Sequence, residues 1–343
     1  MTGTVDPTGA VDPDLVEMMD AVFAHYRDIH PGGVVGDAAL WRRLDDLGLV
    51  RLTGPEESGG SGAGWYEAAE LLAAAVRYAV RIPLAEHDLL ACWLLQANQM
   101  PADSAVRTVC LLDDRGVADD VPWASGADRI VVVWRTGSDY QLAEVAAESL
   151  VITAGTNLIG EPRDSVSADP AVLRGVPVAA PVVATLARRS ALVRSIQVCA
   201  ALDRIVQLSV EHATSRVQFG RPLSKFQAIQ HLVADIAAEA ALARAATEAA
   251  LTAAVRSDWS APNLDFLVAV ARSCAGQACS VVVRNAHQVH GAMGTTREHR
   301  LHEYTRAALA WRSEFGSVHY WDEQVTRGAL EAASGGLWSL ITG

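Results

Sequence analysis

From Pro181 to about Leu330 the chain repeats apolar residues at three- and four-residue steps, broken only by short polar or glycine-containing segments. A period of that kind, held over so long a stretch, specifies packed amphipathic helices. One helix is expected over about 182–216, ending near Gly220. Pro222 then suits the first turn of the next helix, where its missing N–H would be unpaired anyway. Phe226, Ile229, Leu232, Val233 and Ile236 give that helix its apolar stripe. A third starts near Asn263, a plausible N-cap, and runs through Val268, Ala271, Ala275, Ala278 and Val282 to about His290. Its small residues allow neighbouring helices to approach closely, and Gly291 and Gly294 end it. Residues 297–312 and 318–330 supply a fourth and a fifth helix, so the segment reads as a bundle with short connections.

Upstream the pattern changes twice. Val16, Met19, Val22, Phe23 and Tyr26 mark one face of a first helix. A glycine-rich break at 54–62 precedes a second helical run at 65–80 and a third at 84–98. From about Ala102 the period shortens: residues 108–112, 129–134 and 150–153 are β-branched or apolar runs between Gly, Asp and Ser clusters, which predicts strands. The reading is therefore a mainly α chain with a small β-domain: N-terminal helices at 1–101, a reduced β-domain at 102–180 and a helical bundle at 181–343.

Composition narrows the function. Half of the 343 residues are hydrophobic, 20% are charged and the formal net charge is -12. No basic stripe exists to follow a nucleic-acid backbone. The apolar runs at 89–95 and 178–186 are short of the roughly 20 residues that a bilayer requires, and the acidic, polar start carries no signal-peptide pattern. Cys92, Cys110, Cys199, Cys274 and Cys279 are scattered among apolar residues, as expected for reduced core thiols in a cytoplasmic protein.

Two stretches carry possible chemistry. Ser215-Arg216-Val217-Gln218-Phe219-Gly220-Arg221-Pro222-Leu223-Ser224-Lys225-Phe226-Gln227 puts two arginines and a lysine at a junction before a helix N-terminus, a suitable phosphate site; by itself it is equally a solvated basic turn. Gln288-Val289-His290-Gly291-Ala292-Met293-Gly294 ends a helix on small residues that let a flat ligand reach the backbone, or is simply a glycine cap. His287 with His290, and His299 with His302, also form two closely spaced pairs that could face one another across a turn. No nearby thiolate or carboxylate completes a ligand set, so the expectation is no metal.

Taken together, the Arg-x-Gln-Phe-Gly and Gln-x-x-Gly stretches resemble the acyl-CoA dehydrogenase family in order and separation. So do Pro55-Glu56-Glu57-Ser58-Gly59-Gly60-Ser61-Gly62, Ala201-Leu202-Asp203 and Trp311-Arg312-Ser313-Glu314-Phe315-Gly316-Ser317. The resemblance implies the three-part fold of that family, with N-terminal helices, a central β-domain and a C-terminal four-helix bundle. It also implies FAD as cofactor, held partly by a neighbouring chain. Carried over by position, Arg216 would pair with the pyrophosphate beside Gln218 and Phe219. Phe226 and Gln227 would line the same cleft, and Gln288, Gly291 and Ala292 would lie along the dinucleotide. Ala292 replaces a second glycine usual there.

Two departures shape the functional expectation. The β-domain carries neither the Thr-Glu-Pro/Gly-Ser-type run nor the Trp-Ile-Thr-type run that grip the flavin ring; Val121-Pro122-Trp123-Ala124-Ser125-Gly126-Ala127-Asp128 is the nearest remnant. The reaction also needs a desolvated carboxylate at the substrate α-carbon. The family's base position holds Phe315, with Glu314 one residue earlier and so about 100° away on a helix. These departures resemble an actinobacterial subgroup in which a short chain pairs with a full-length homologue in an α2β2 assembly acting on steroid or other bulky acyl-CoA thioesters. Such a partner would supply the base, with electron-transfer flavoprotein as acceptor. The alternatives are a self-sufficient homodimer with Glu314 as catalytic base, and a structural or histidine metal-site protein.

Overall fold

Asp12 accepts the amide of Asp14 and Pro13 takes the first helical position, so α1 (Pro13–Ile29) begins where proline's missing N–H costs nothing. These are the first elements of a computed structural model that describes residues 10–342; the N-terminal stretch 1–7 lies outside the described residues. The expected stripe of Met19, Val22, Phe23 and Tyr26 is the buried face of α1. Asp37 caps α2 (Ala38–Asp46) by accepting the amides of Ala39 and Leu40. The glycine-rich break then folds back on itself. A Cβ on Gly60 would lie 2.1 Å from the Gly54 carbonyl oxygen, so that position admits no side chain. Past the break, α3 (Trp65–Arg77) is followed by a π-helical segment, Ala85–Cys92, that continues into α4 (Trp93–Ala97).

Seven strands follow: β1 (Arg107–Leu111), β2 (Val117–Pro122), β3 (Arg129–Thr136), β4 (Asp139–Ala146), β5 (Val151–Thr153), β6 (Arg163–Ser167) and β7 (Val176–Val178). One sheet runs β1-β3-β4-β7 and the other β2-β6-β5; β1 and β3 are parallel and the remaining pairs antiparallel. The central strand shows why these residues form a sheet. Ile130, Val132 and Trp134 enter one hydrophobic cluster with Cys110, Val121 and Val166. Val131 and Val133 enter another with Leu90, Leu94 and Leu142. Alternate side chains thus feed opposite cores, and a strand buried on both faces reads as one apolar run.

The chain divides into two compact units, Met1–Arg189 and Ser190–Gly343. Helix α5 (Ala180–Ser215) begins in the first and ends in the second. In the second unit it is followed by α6 (Gln227–Arg256), α7 (Leu264–His290), α8 (Leu301–Trp311), α9 (Val318–Glu331) and α10 (Ala333–Thr342). The bundle centres on α7, which packs against α6, α8 and α9. By length and composition alone α7 could cross a membrane, but 56% of its apolar window is buried inside the fold, and it is the bundle's core helix. Asn263 precedes α7 without capping it; its side-chain amide donates instead to the Leu340 carbonyl.

The α5–α6 junction corrects one expectation. Pro222 does not open a helix. It pairs with Val217 in a two-stranded hairpin, β8 (Val217–Gln218) and β9 (Arg221–Pro222), and a 3-10 turn, Leu223–Lys225, intervenes before α6 starts at Gln227. The reason lies in Phe219 and Gly220, with φ of 51° and 75°. Two consecutive positive φ values make the two-residue turn that closes a hairpin rather than a helical connection.

The cysteines are free; four are buried and Cys274 is half-buried. Burial pushes the thiols of Cys92, Cys110, Cys199 and Cys279 up to about 12, so they are protonated core residues. In the first unit, His87 is fully buried and accepts the Arg107 amide through Nδ1 at 3.1 Å. Burial, then Arg107 and Arg51, push its pKa down to about 3. The native state holds this ring neutral while the unfolded chain protonates it near 6.5. Its contribution is therefore complete above pH 6.5 and is lost as pH falls toward 3. Asp88, pushed up to about 6 chiefly by burial, titrates in the opposite sense over part of that range, so the effect is isolated by comparison with His87→Gln. Urea unfolding should show the stability gap between wild type and variant shrinking by about 2 kcal/mol between pH 7.5 and pH 5. A constant gap would mean that His87 takes up its proton in the native protein as readily as in the unfolded chain.

Candidate functional site

The two motif stretches meet at one end of the bundle. Arg216 directly follows α5, and its amide bonds to the His212 carbonyl one turn back. Gln288 lies in the last turn of α7, two residues before His290. The rings of His212 and His290 stack at a centroid distance of 4.5 Å, which fixes the two helix ends side by side. Arg216, Gln218, Phe219, Gln227, Gln288, Gly291 and Ala292 are all exposed on this end, and Phe226 is half-buried.

Local backbone explains their presentation. Phe219 is held at φ 51° with its ring 91% exposed. A bulky residue in that region is strained, and an exposed strained aromatic marks a binding position more readily than a packing one. Phe226 packs edge-on to Phe219 at 6.3 Å and carries the Arg221 guanidinium 4.2 Å above its face. Arg221 is thus engaged with an aromatic face, while Arg216 is an exposed cation between the end of α5 and the hairpin. Gly291 ends α7 at φ 59° and ψ -144°, a region open essentially to glycine alone, and a Cβ there would meet nothing within 4 Å. The backbone at that point is bare and approachable. Ala292 lies in the following 3-10 turn and is not left-handed, so its methyl group is accommodated where the family has glycine. Guanidinium and amide donors, a flat exposed ring and a bare backbone suit a dinucleotide: a phosphate bridge and a planar base.

Glu314 lies apart from this end, in the turn after α8. Its Oε2 accepts from Arg194 Nε at 2.6 Å, and Arg194 is 1% exposed. Arg272, equally buried, donates through one nitrogen to the carbonyls of Arg312, Glu314 and Gly316 at 3.0, 2.7 and 3.3 Å. Burial, then Arg194, lower the Arg272 pKa to about 10. Phe315 is left-handed at φ 54°, and its ring lies 5.0 Å from the Arg194 guanidinium carbon. Sequence reasoning had not singled out either arginine; a charged residue inside an otherwise apolar, alanine-rich helix was the available signal. Proton uptake by Glu314 would leave Arg194 buried beside a neutral partner, which costs about 3–5 kcal/mol when such a pair is broken.

The expected histidine pairs face one another through one member of each, His290 and His299, whose ring centroids lie 4.6 Å apart. His287 bonds to Thr305 Oγ1 and His302 to the His299 carbonyl. His290 and His299 instead meet His212. The remnant segment at 121–128 is buried over its first four residues, while Ser125, Gly126 and Asp128 are exposed. Trp123 is buried, and the Ser125 amide is tied to the buried carboxylate of Asp164 at 2.7 Å.

Comparison with known proteins fits this geometry. Residues 181–330 match the acyl-CoA dehydrogenase C-terminal domain. The acyl-CoA dehydrogenase IpdE2 of Mycobacterium tuberculosis is 30% identical over 79% of this chain and 80% of its own length. The chain belongs to the acyl-CoA dehydrogenase family. Its fold is that of the family's solved structures. The ChsE4-ChsE5 complex from Mycobacterium tuberculosis superposes with a TM-score of 0.80 at 24% identity, covering 95% of this chain and 99% of the matched one. The steroid ACAD Tcur3481-Tcur3483 gives 0.80 at 20% identity, covering 94% and 98%. This acyl-CoA dehydrogenase is thus an oxidoreductase by family.

The ion pair generates a prediction about stability and turnover together. Glu314→Gln should lower unfolding stability by about 3 kcal/mol, because it strips Arg194 of its counter-charge, while turnover per folded assembly stays within about threefold of wild type. Collapse of turnover in a variant of unchanged thermal stability would make Glu314 the base.

Proposed function

We propose that this chain is a subunit of an FAD-dependent acyl-CoA dehydrogenase that introduces an α,β double bond into an acyl-CoA thioester. It does so in an α2β2 assembly with a full-length homologue. The observation that carries this reading is the pairing of an exposed dinucleotide-type surface with a carboxylate already committed to an ion pair. Arg216 would hold the pyrophosphate by charge-assisted hydrogen bonds, with the Gln218 and Gln288 amides beside it. Phe219, Phe226 and Gln227 would line the dinucleotide, and the backbone at Gly291 and Ala292 would take its close approach. When bound, FAD supplies the acceptor for the hydride that leaves the β-carbon. The α-proton is taken by a carboxylate of the partner chain, since Glu314 neutralises Arg194. A chain that lacks the family's flavin-gripping runs holds the cofactor mainly from its neighbour's side.

The substrate class follows from relatives. One structural neighbour is described as a steroid ACAD, and a steroid or similarly bulky acyl-CoA is proposed here. Electron-transfer flavoprotein is proposed as the acceptor on the same family grounds.

The visible spectrum of the purified chain tests the central claim. The chain should be colourless alone and yellow when co-expressed with a full-length homologue, at about one flavin for every two chains. A yellow homodimer near one flavin per chain would establish the self-sufficient enzyme instead. In the assembled complex, Arg216→Ala should weaken FAD retention roughly tenfold to hundredfold, the loss expected for hydrogen bonds to a charged group. Unchanged flavin occupancy after dialysis would reduce Arg216 to a packing role.

A further inference from the structure

The end of the bundle holds a histidine cluster that the acyl-CoA chemistry does not use. His212 comes from the last turn of α5, His290 from the last turn of α7, and His299 from the irregular segment before α8. One ring nitrogen from each lies within 4.8 Å of the other two. The ring centroids are 4.5 Å apart for His212 and His290, 4.6 Å for His290 and His299, and 6.0 Å for His212 and His299. We propose that His212, His290 and His299 form a binding site for a borderline divalent cation, zinc in the first instance, with a fourth position open to water or a ligand.

The atoms support coordination. His290 is 4% exposed and gives its Nδ1 proton to the Ala286 carbonyl at 2.8 Å, which leaves Nε2 as a lone pair. That buried nitrogen makes no hydrogen bond. A ring N–H held by a main-chain carbonyl is the outer-shell partner that orients metal-bound imidazoles. Burial lowers the pKa of all three rings, that of His290 to about 4, so near neutrality they are uncharged and able to bind a cation. The surrounding field is mixed. Carbonyls of Ala286 and Leu208 favour positive charge at His290, and Glu211 favours it at His299, while Arg216 opposes it at His212. Zinc–nitrogen bonds of about 2.0–2.1 Å in a tetrahedron need nitrogens about 3.3 Å apart, so the cluster has to close by roughly an ångström or more at its widest. His299 can provide that movement. It sits on the one non-helical segment of the three, and coordination exchanges the hydrogen bond its Nδ1 accepts from the Leu301 amide at 3.1 Å for a metal bond. Imidazole ligands with one position open suit zinc over calcium or magnesium, which select oxygen.

This inference does not rest on FAD binding, and its test needs none. The full-length chain is stripped with chelator, dialysed against zinc, and its bound metal counted by emission spectrometry; cobalt(II) substitution then reads the geometry by its visible absorption. The expected result is one zinc per chain, a tetrahedral cobalt spectrum, and affinity at least tenfold weaker in His299→Ala. His299 is only half-buried, so that variant should fold, which circular dichroism verifies. His302→Ala, on the neighbouring turn and outside the cluster, should bind as wild type does. No stoichiometric zinc in the wild-type chain overturns the proposal. So does equal binding by wild type and His299→Ala, or an equal loss in His302→Ala.

Discussion

Two guanidinium groups, Arg194 and Arg272, lie inside one helical bundle at 1% exposure each, and the turn after α8 takes its shape from what they require. A buried charge has to be paired or heavily hydrogen-bonded to persist. Arg194 takes the Glu314 carboxylate, and Arg272 gathers the carbonyls of Arg312, Glu314 and Gly316. Those carbonyls lie in the turn between α8 and α9, where main-chain acceptors have no helical partner. One arginine thus fixes the turn while the other holds the carboxylate of Glu314. Phe315 is left-handed as a consequence, and Gly316, at φ 116°, follows where few other residues could. Phe315, at the position where the family resemblance would put the base, is part of this arrangement, because its ring rests on the same guanidinium that binds Glu314. Reinstating a base here would take more than one substitution, since a carboxylate at position 315 would compete for Arg194.

Much of this fold is legible in the chain itself, for a physical reason. Long helices repeat their packing requirement every turn, so α1, α5, α6 and α7 are written many times over in Met19, Val22 and Phe23 or in Val268, Ala271 and Ala275. Strand β3 is equally plain because both of its faces are buried. Shorter elements repeat too little to be read. Nine-residue α2 is set by Asp37, whose carboxylate also accepts from Tyr26, a contact made across the fold. Strands β2 and β4 mix polar and apolar residues because part of each is exposed, β6 buries the polar Arg163 and Asp164, and β7 has only three residues. The hairpin at 217–222 was missed because proline permits either a helical first turn or an edge strand, and the choice fell to Phe219 and Gly220.

The candidate site divides in the same way. Arg216, Gln218, Gln288 and Gly291, the positions that a motif carries, lie at the end of the bundle where His212 stacks on His290. What no motif could supply is the state of each group. That Glu314 is paired, that Arg221 is occupied by the face of Phe226, and that His290 meets His299 rather than His302 are all products of tertiary packing. Residues three apart share a helix face, yet His299 precedes the first turn of α8, so helical spacing does not apply to it.

The exposed hairpin bears on why such a chain would function beside another. Phe219 combines an unfavourable backbone region with 91% exposure of an aromatic ring, two costs against which the isolated unit sets the hairpin pairing and the edge of Phe226. Val217, 58% exposed beside it, adds to the same surface. A surface of that composition gains by being covered, and the donors around it set what can cover it: Arg216 favours an anion, while the bare backbone at Gly291 favours something flat. A dinucleotide held by a neighbouring chain, as proposed above, would meet both conditions and would bury the ring on binding.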